Sequence, residues 1–313
     1  MDNETNSAVL EMVFGLYEML SKIEEFHQYR EELFEACSGY FPILYSKEND
    51  SKLLEIKKRI HYKLIQALTA HHDFFDLYLA LAIEKLESTS IYAKISAYDL
   101  LCEGFKIWRL EDFNSLNIKS IWTNIRIDSL KNSSEDDSKL IKKALITLGK
   151  LAVCLQDYFH AIDNKIFTTI WSDIKVALEN SNLKLIHPAV DIFQNIAKCD
   201  GFFKKYYIQA VGLVSNAFLT SEAINDKCYC LKALFRLNRR TDILIDDNEE
   251  NTSKSILSLI INQTILHSNS TIYGLVCDII CQWSSIYRLE GLVPEIALFL
   301  DNCRQIPDFF TIM

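Results

Sequence analysis

One pattern recurs along this chain at nearly constant intervals. After a polar turn comes an apolar residue, a polar pair, and then a small residue opening the apolar face of a helix. The instances are YAKISA (92–97), LIKKA (140–144), LIHPA (185–189), DKCYC (226–230) and TIYGL (271–275). Their last residues lie at 97, 144, 189, 230 and 275, in steps of 47, 45, 41 and 45. Steps of about 40–47 residues are those of HEAT and armadillo repeats, in which each unit is built of paired helices. One pair cannot bury its apolar face alone, and stacked neighbours bury it jointly. The spacing therefore predicts an all-α protein, a right-handed α-solenoid of HEAT/armadillo-type helical pairs running as a single array over 1–313.

The segments between these positions support helices. In 72–87 Phe75, Leu79, Ile83 and Leu86 recur at spacings of three and four, the helical period. In 138–155 Ile141, Leu145, Leu148, Ala152 and Leu155 repeat it, with Asp137 or Ser138 placed as an N-cap. Breaks are expected at 46–51, 87–90, 131–138, 179–182, 219–226, 245–253 and 267–270, each rich in Ser, Asn and Asp. Those residues cap helices and form Asx turns. They account for the turns of a chain with only 8 Gly and 4 Pro among 313 residues. So few of both disfavours phosphate-cradling loops and many-turned β folds. The one strand-like stretch, 241–245, is short and isolated.

The formal net charge is −9, which opposes direct nucleic-acid binding because that affinity comes largely from Lys and Arg on phosphates. The basic clusters Lys57-Lys58-Arg59, Lys204-Lys205 and Arg236/Arg239/Arg240 read as solvated helix faces. No run of 18 apolar residues occurs, so no membrane span is expected. The opening MDNETNSAVLEMVF lacks the basic and apolar regions of a secretory signal. Nine cysteines, an odd count in apolar helical contexts, suggest free thiols in a reducing compartment. The apolar ending IALFLDNCRQIPDFFTIM contrasts with the polar face that caps a finished array, so the repeats are expected to dock against something there or to be cut short.

Catalytic constellations are missing. No GxGxxG, P-loop, HExxH, GxSxG or EF-hand pattern occurs. His71 and His72 are adjacent, about 100° apart on a helix, and make a poor joint metal site. Cys228-Tyr-Cys230 and Cys277/Cys281 have apolar flanks rather than the CxxC turns of zinc or iron–sulfur sites, so core packing is expected for them. Trp108, Trp122, Trp171 and Trp283 are likewise expected in the core. No enzyme, resident cofactor or metal is indicated.

Three stretches together carry a family resemblance: EACSGYFPILYSKENDS (35–51), LALAIEKLESTSIYAKISAYDLL (79–101) and LENSNLKLIHPAVDIFQNIA (178–197). In order and spacing they resemble the large HEAT-repeat scaffold family named for methyl-methanesulfonate sensitivity, also called nucleotide-excision-repair protein homologues. Leu116–Arg126 and LIKKALITLGKLAVCL (140–155) fill the helices expected between them. The resemblance is strongest over 31–240, with 241–313 reading as further helical repeats. Family members are far longer, so the chain corresponds to their N-terminal to middle portion. Its loop at 46–50 lacks the prolines usual there.

The resemblance implies a non-catalytic targeting factor of cytosolic iron–sulfur protein assembly, in cytoplasm and nucleus, that serves DNA repair, replication and transcription. The partners it implies are subunits of the cytosolic iron–sulfur assembly complex and apo iron–sulfur clients such as DNA helicases, polymerases and primase. A general adaptor of nuclear transport or phosphatase targeting is the other reading open to a solenoid. Candidate protein-interaction residues within the matched motifs are Tyr40, Phe41, Pro42, Glu84, Lys85 and Lys94. Phe41 and Pro42 can equally fix the geometry between helix pairs, and Lys94 is expected to pair with an acid such as Glu87.

Overall fold

The computed structural model describes residues 6–43, 51–112, 114–131, 135–157, 164–180, 182–237, 247–267 and 269–306. Those residues are all-α, with no strand among them. Two compact units divide the chain, residues 1–166 and 167–313.

The first unit holds α1 (Ser7–Ser21), α2 (Arg30–Ser38), α3 (Ser51–Leu68), α4 (Phe75–Leu86), α5 (Ile91–Gly104), α6 (Ser115–Ser129) and α7 (Glu135–Asp157). Short 3-10 turns at Glu24–Tyr29, His72–Phe74, Phe105–Ile107 and Leu110–Asp112 join several of them. Each odd helix packs on the odd helix before it: α1 on α3, α3 on α5, α5 on α7. The even helices lie across them, α2 on α3, α4 on α5 and α6 on α7, with α4 also touching α6. Contacts between neighbours and next-neighbours are those of stacked helical pairs, the solenoid arrangement the spacing predicts.

The second unit repeats the arrangement. It holds α8 (Asn164–Leu178, which begins just before the boundary), α9 (Ile186–Ile196), α10 (Asp200–Thr220), α11 (Ile224–Leu237), α12 (Asp247–Ile265), α13 (Ser270–Ser284) and α14 (Val293–Gln305). One row stacks α9, α11 and α13; the other stacks α10, α12 and α14. Aromatic rings bring α8 onto its neighbours: Trp171 stacks on Tyr206 at 5.0 Å and meets Phe193 edge-on at 6.1 Å.

The repeat positions fall one to each odd helix, Ala97 on α5, Ala144 on α7, Ala189 on α9, Cys230 on α11 and Leu275 on α13. The first four are wholly buried, where a small side chain lets facing helices approach. Leu275 is only half-buried, so the last unit departs from the pattern. Polar links also run from repeat to repeat: Lys143 of α7 to Asp99 of α5 in the first unit, Arg236 of α11 to Asp191 of α9 in the second.

Caps replace glycine turns as expected. The side chains of Asn6, Ser90, Asn114, Asn182 and Asn269 each accept a hydrogen bond from a backbone N–H two or three residues on. Among the described residues no glycine has positive φ. One glycine is required by space instead: a Cβ on Gly104 would lie 2.5 Å from Cε2 of the buried Tyr78 ring. The four tryptophans are buried, as the sequence suggests.

Several local expectations need correction. Helix α7 begins at Glu135, so Asp137 and Ser138 sit inside its first turn rather than capping it. Its fully buried face is Leu140, Ala144, Leu148, Leu151, Ala152 and Leu155, while Ile141 and Leu145 are half-buried. Much of the break expected at 245–253 is the start of α12, where acidic residues suit the positive end of the helix dipole. The strand-like 241–245 and most of the break at 46–51 lie outside the described residues.

Candidate functional site

The six candidate residues separate into three settings. Tyr40, Phe41 and Pro42 follow α2, where the chain turns towards α3. The Tyr40 ring meets Phe14 of α1 edge-on at 5.6 Å, and Phe41 stacks on His61 of α3 at 6.4 Å. Phe41 is buried; Tyr40 and Pro42 are half-buried, and the Phe41–Pro42 peptide is cis. The YFP segment thus joins α1, α2 and α3, and its aromatic rings are used in packing. Burial pushes the nearby Cys37 thiol up to about 12 and raises Tyr17 as well. Both groups therefore stay protonated near neutral pH.

Glu84 and Lys85 lie near the end of α4, Glu84 exposed and Lys85 partly so, with Lys85 Nζ 2.7 Å from Glu84 Oε1. A surface pair of this kind adds little to stability. Of the six residues it is the pair that is open to a partner without disturbing the core.

Lys94 is not a surface residue. It is 9% exposed, and its ammonium donates to both Asp128 oxygens at 3.0 and 3.3 Å. The acid it pairs with is therefore Asp128 of α6, and not Glu87 at the end of α4. Asp128 has no exposed surface and accepts two further bonds, from the Tyr98 hydroxyl at 2.9 Å and from Lys131 at 2.9 Å. A buried carboxylate needs such donors to offset lost hydration. Burial first, and then the adjacent Asp128 charge, raise the Tyr98 phenol so that it stays a donor. The cluster holds α5 against α6, which is a packing role. Its acid escapes a local sequence search because it lies 34 residues away.

Two comparable polar centres also went unseen in the sequence. Burial opposes ionisation of Asp99, yet hydrogen bonds from His61 and Lys143 hold its carboxyl below the usual range. In the second unit His187 sits between α9 and α11, with Nε2 2.9 Å from the Tyr229 carbonyl and Nδ1 3.1 Å from Arg236. Burial lowers its pKa. His71 and His72 are half-buried rather than free: His71 accepts from the Asp73 N–H, and His72 stacks on Phe75 and bonds Asp112.

The cysteines are all free thiols. Cys230 is buried as expected and burial lifts it to about 11. Cys228 and Cys277 are half-buried and Cys281 is exposed, so core packing is the wrong reading for Cys281. Cys281 lies four residues along α13 from Cys277, on the outer part of a helix face whose apolar composition hid its exposure. Among the described residues no three His, Cys, Asp or Glu side chains are grouped to hold a metal ion, and no helix is long and apolar enough to cross a membrane. Another feature that sequence reasoning missed is the outer face of α1, where Val9, Met12, Leu16, Met19 and Ile23 are exposed. Its signal was the spacing of three and four.

Residues 1–131, which take in α1 to α6, match the MMS19_N family model, described as "Dos2-interacting transcription regulator of RNA-Pol-II". The chain is 29% identical over 197 residues to the MMS19 nucleotide excision repair protein of Drosophila melanogaster, covering 61% of this chain and 20% of that protein. It is 26% identical over 207 residues to the human MMS19 nucleotide excision repair protein homolog, covering 63% and 19%. To the DNA repair/transcription protein mms19 of Schizosaccharomyces pombe it is 22% identical over 189 residues, covering 60% and 18%. The matched part is thus about a fifth of the length of these relatives. Over roughly three-fifths of its own length, then, the chain is similar to MMS19 proteins, and the MMS19_N model matches its first 131 residues.

Proposed function

We propose that this chain is a non-catalytic scaffold of cytosolic iron–sulfur protein assembly, acting in the cytoplasm and nucleus. On this reading it holds assembly-complex subunits beside apo-clients such as DNA helicases, polymerases and primase. The observation that carries the reading is the family match over residues 1–131, laid on helices stacked in rows. The relatives' own names refer to nucleotide excision repair and to DNA repair and transcription. A scaffold works by raising the effective concentration of one bound partner near another, to the millimolar range for short tethers. Such work needs surface patches and rigid spacing rather than a reactive side chain. The Glu84–Lys85 pair on α4 is the patch we assign to a partner, since Lys94 and Phe41 are occupied in packing.

The test is affinity capture of the full chain from cells. Assembly-complex subunits together with an iron–sulfur helicase, polymerase or primase are expected. Reversing both charges, Glu84→Lys with Lys85→Glu, is expected to weaken that capture while leaving the thermal midpoint unchanged. A folded chain that recovers neither class sinks the proposal, and recovery of nuclear-transport or phosphatase subunits in their place assigns it to a general adaptor.

A further inference from the structure

Helix α1 has a buried face and, opposite it, an exposed apolar one. One face is covered: Phe14 and Ser21 are buried, and α1 packs on α2 and α3. The other carries Val9 (38% exposed), Met12 (75%), Leu16 (53%) and Met19 (64%), continued by Ile23 (39%) just past the helix end. An apolar stripe on a helix normally faces a core or a partner. Among the described residues α1 ends its row, the position where a solenoid needs a polar outer face. The five exposed residues offer roughly 400–500 Å² of surface, in the range of the largest apolar patch on a monomer, which is often functional.

We propose that this stripe is a self-association surface, through which two copies of the chain pair α1 against α1, antiparallel, about a two-fold axis at Leu16. Three observations select a second copy as the occupant. First, the stripe is symmetric in kind about Leu16: a β-branched residue, Met, Leu, Met, a β-branched residue. A two-fold contact requires a patch complementary to itself. Antiparallel pairing sets Leu16 on the partner's Leu16, Met12 beside the partner's Met19, and Val9 beside the partner's Ile23. Second, the charges of α1 are already neutralised within the copy. Glu11 pairs with Arg59 of α3 at 2.8 Å, and Glu18 pairs with Lys22 at 2.8 Å and with Lys63 of α3 at 4.0 Å. Bringing two α1 helices together therefore sets no unpaired like charges across the axis. Third, the area suits a reversible dimer. Twice the stripe gives about 800–1,000 Å², at the small end of interface sizes, where contacts are weak and transient.

Gly15 beside the axis has nothing within 4 Å of a Cβ position, so the facing helix meets no obstruction there. Met12 and Met19 add adaptable side chains that fill gaps in such a seam.

The test is sedimentation equilibrium of the full chain over a concentration series up to roughly 100 µM, the range that a contact of this size reaches. Wild type is expected to shift from monomer to dimer within it. Leu16→Arg and Leu16→Glu are each expected to remain monomeric, because like charges face each other at the axis. An equimolar mixture of the two is expected to recover a one-to-one dimer. Met12→Glu, at the most exposed position, provides a second disrupting change, and circular dichroism of every variant is expected to match wild type. A wild type that stays monomeric throughout overturns the proposal, as does a dimer indifferent to Leu16→Arg. Failure of the charge-swapped mixture to pair overturns the two-fold register. A monomer that instead binds an added amphipathic peptide assigns the stripe to a helix of another protein, and overturns it too.

Discussion

Removing Asp128 exposes how the first unit is held together. Asp128 is wholly buried and accepts from Lys94, Tyr98 and Lys131, so Asp128→Ala leaves the Lys94 ammonium 9% exposed with its acid gone. Breaking a buried ion pair from one side costs about 3–5 kcal/mol, because the remaining charge is uncompensated. For a unit of this size each kcal/mol moves the midpoint by roughly 2–4 °C. A fall of roughly 10 °C is therefore expected in the calorimetric transition of residues 1–166. Asp128→Asn is expected to cost less, since the amide oxygen still accepts. The double change Lys94→Met with Asp128→Asn removes the stranded charge and is expected to cost less than Asp128→Ala alone. Urea titrations of wild type, Lys94→Met, Asp128→Asn and the double variant close a double-mutant cycle, with a coupling of about 1–3 kcal/mol expected for residues in direct contact. A cost below about 1 kcal/mol for Asp128→Ala, or additive single changes, refutes this account of the cluster.

Other outcomes follow from the same contacts. Gly104→Ala drives a methyl into the buried Tyr78 ring, and overpacking of this kind costs about 1–3 kcal/mol by urea denaturation. Acid weakens the first unit through Asp99, whose carboxyl is held below its usual value of 3.8. Its stabilisation is present above that value and lost as pH falls towards the folded-state value, and Asp99→Asn is expected to flatten that part of the stability–pH curve. His187 has the same sign in a higher window: its folded pKa lies below 6.5, so stability is full above about 6.5 and falls below it as the unfolded chain takes up the proton. His187→Gln is expected to remove that dependence in urea melts between pH 7 and pH 5. Asn114 accepts from the N–H groups of Leu116 and Asn117 at the start of α6, and Asn114→Ala is expected to cost about 1 kcal/mol by thermal melt.

The fold was legible because one small residue per repeat recurs near every 45 positions, and Ala97, Ala144, Ala189 and Cys230 are all buried on stacked helices. Faces within a helix were less legible. In α7 the set Leu140, Ala144, Leu148 and the set Ile141, Leu145, Leu148 share the same period, and a helix packed on two sides buries parts of both. The acidic run at 245–253 looks like a turn by composition, although charge near a helix start stabilises the helix instead. The site was less legible still. Lys94 stood out by its place in a motif, but its acid comes from a different helix. The α1 stripe has a readable period, and a period reports that a face is apolar without reporting whether anything covers it.

The polar links between repeats set a length scale for mechanical extension. Asp99 to Lys143 spans 44 residues and Asp191 to Arg236 spans 45. Each therefore brackets one repeat, whose helices are held by packing on their neighbours. When a stretching force unfolds the helices of one such repeat, the segment extends by at most about 3.3–3.6 Å per residue. Each release then yields roughly 150 Å of contour. Pulled in a force spectrometer, either unit would lengthen in steps of that size, one repeat at a time, as a ratchet paying out cord rather than a globule bursting open.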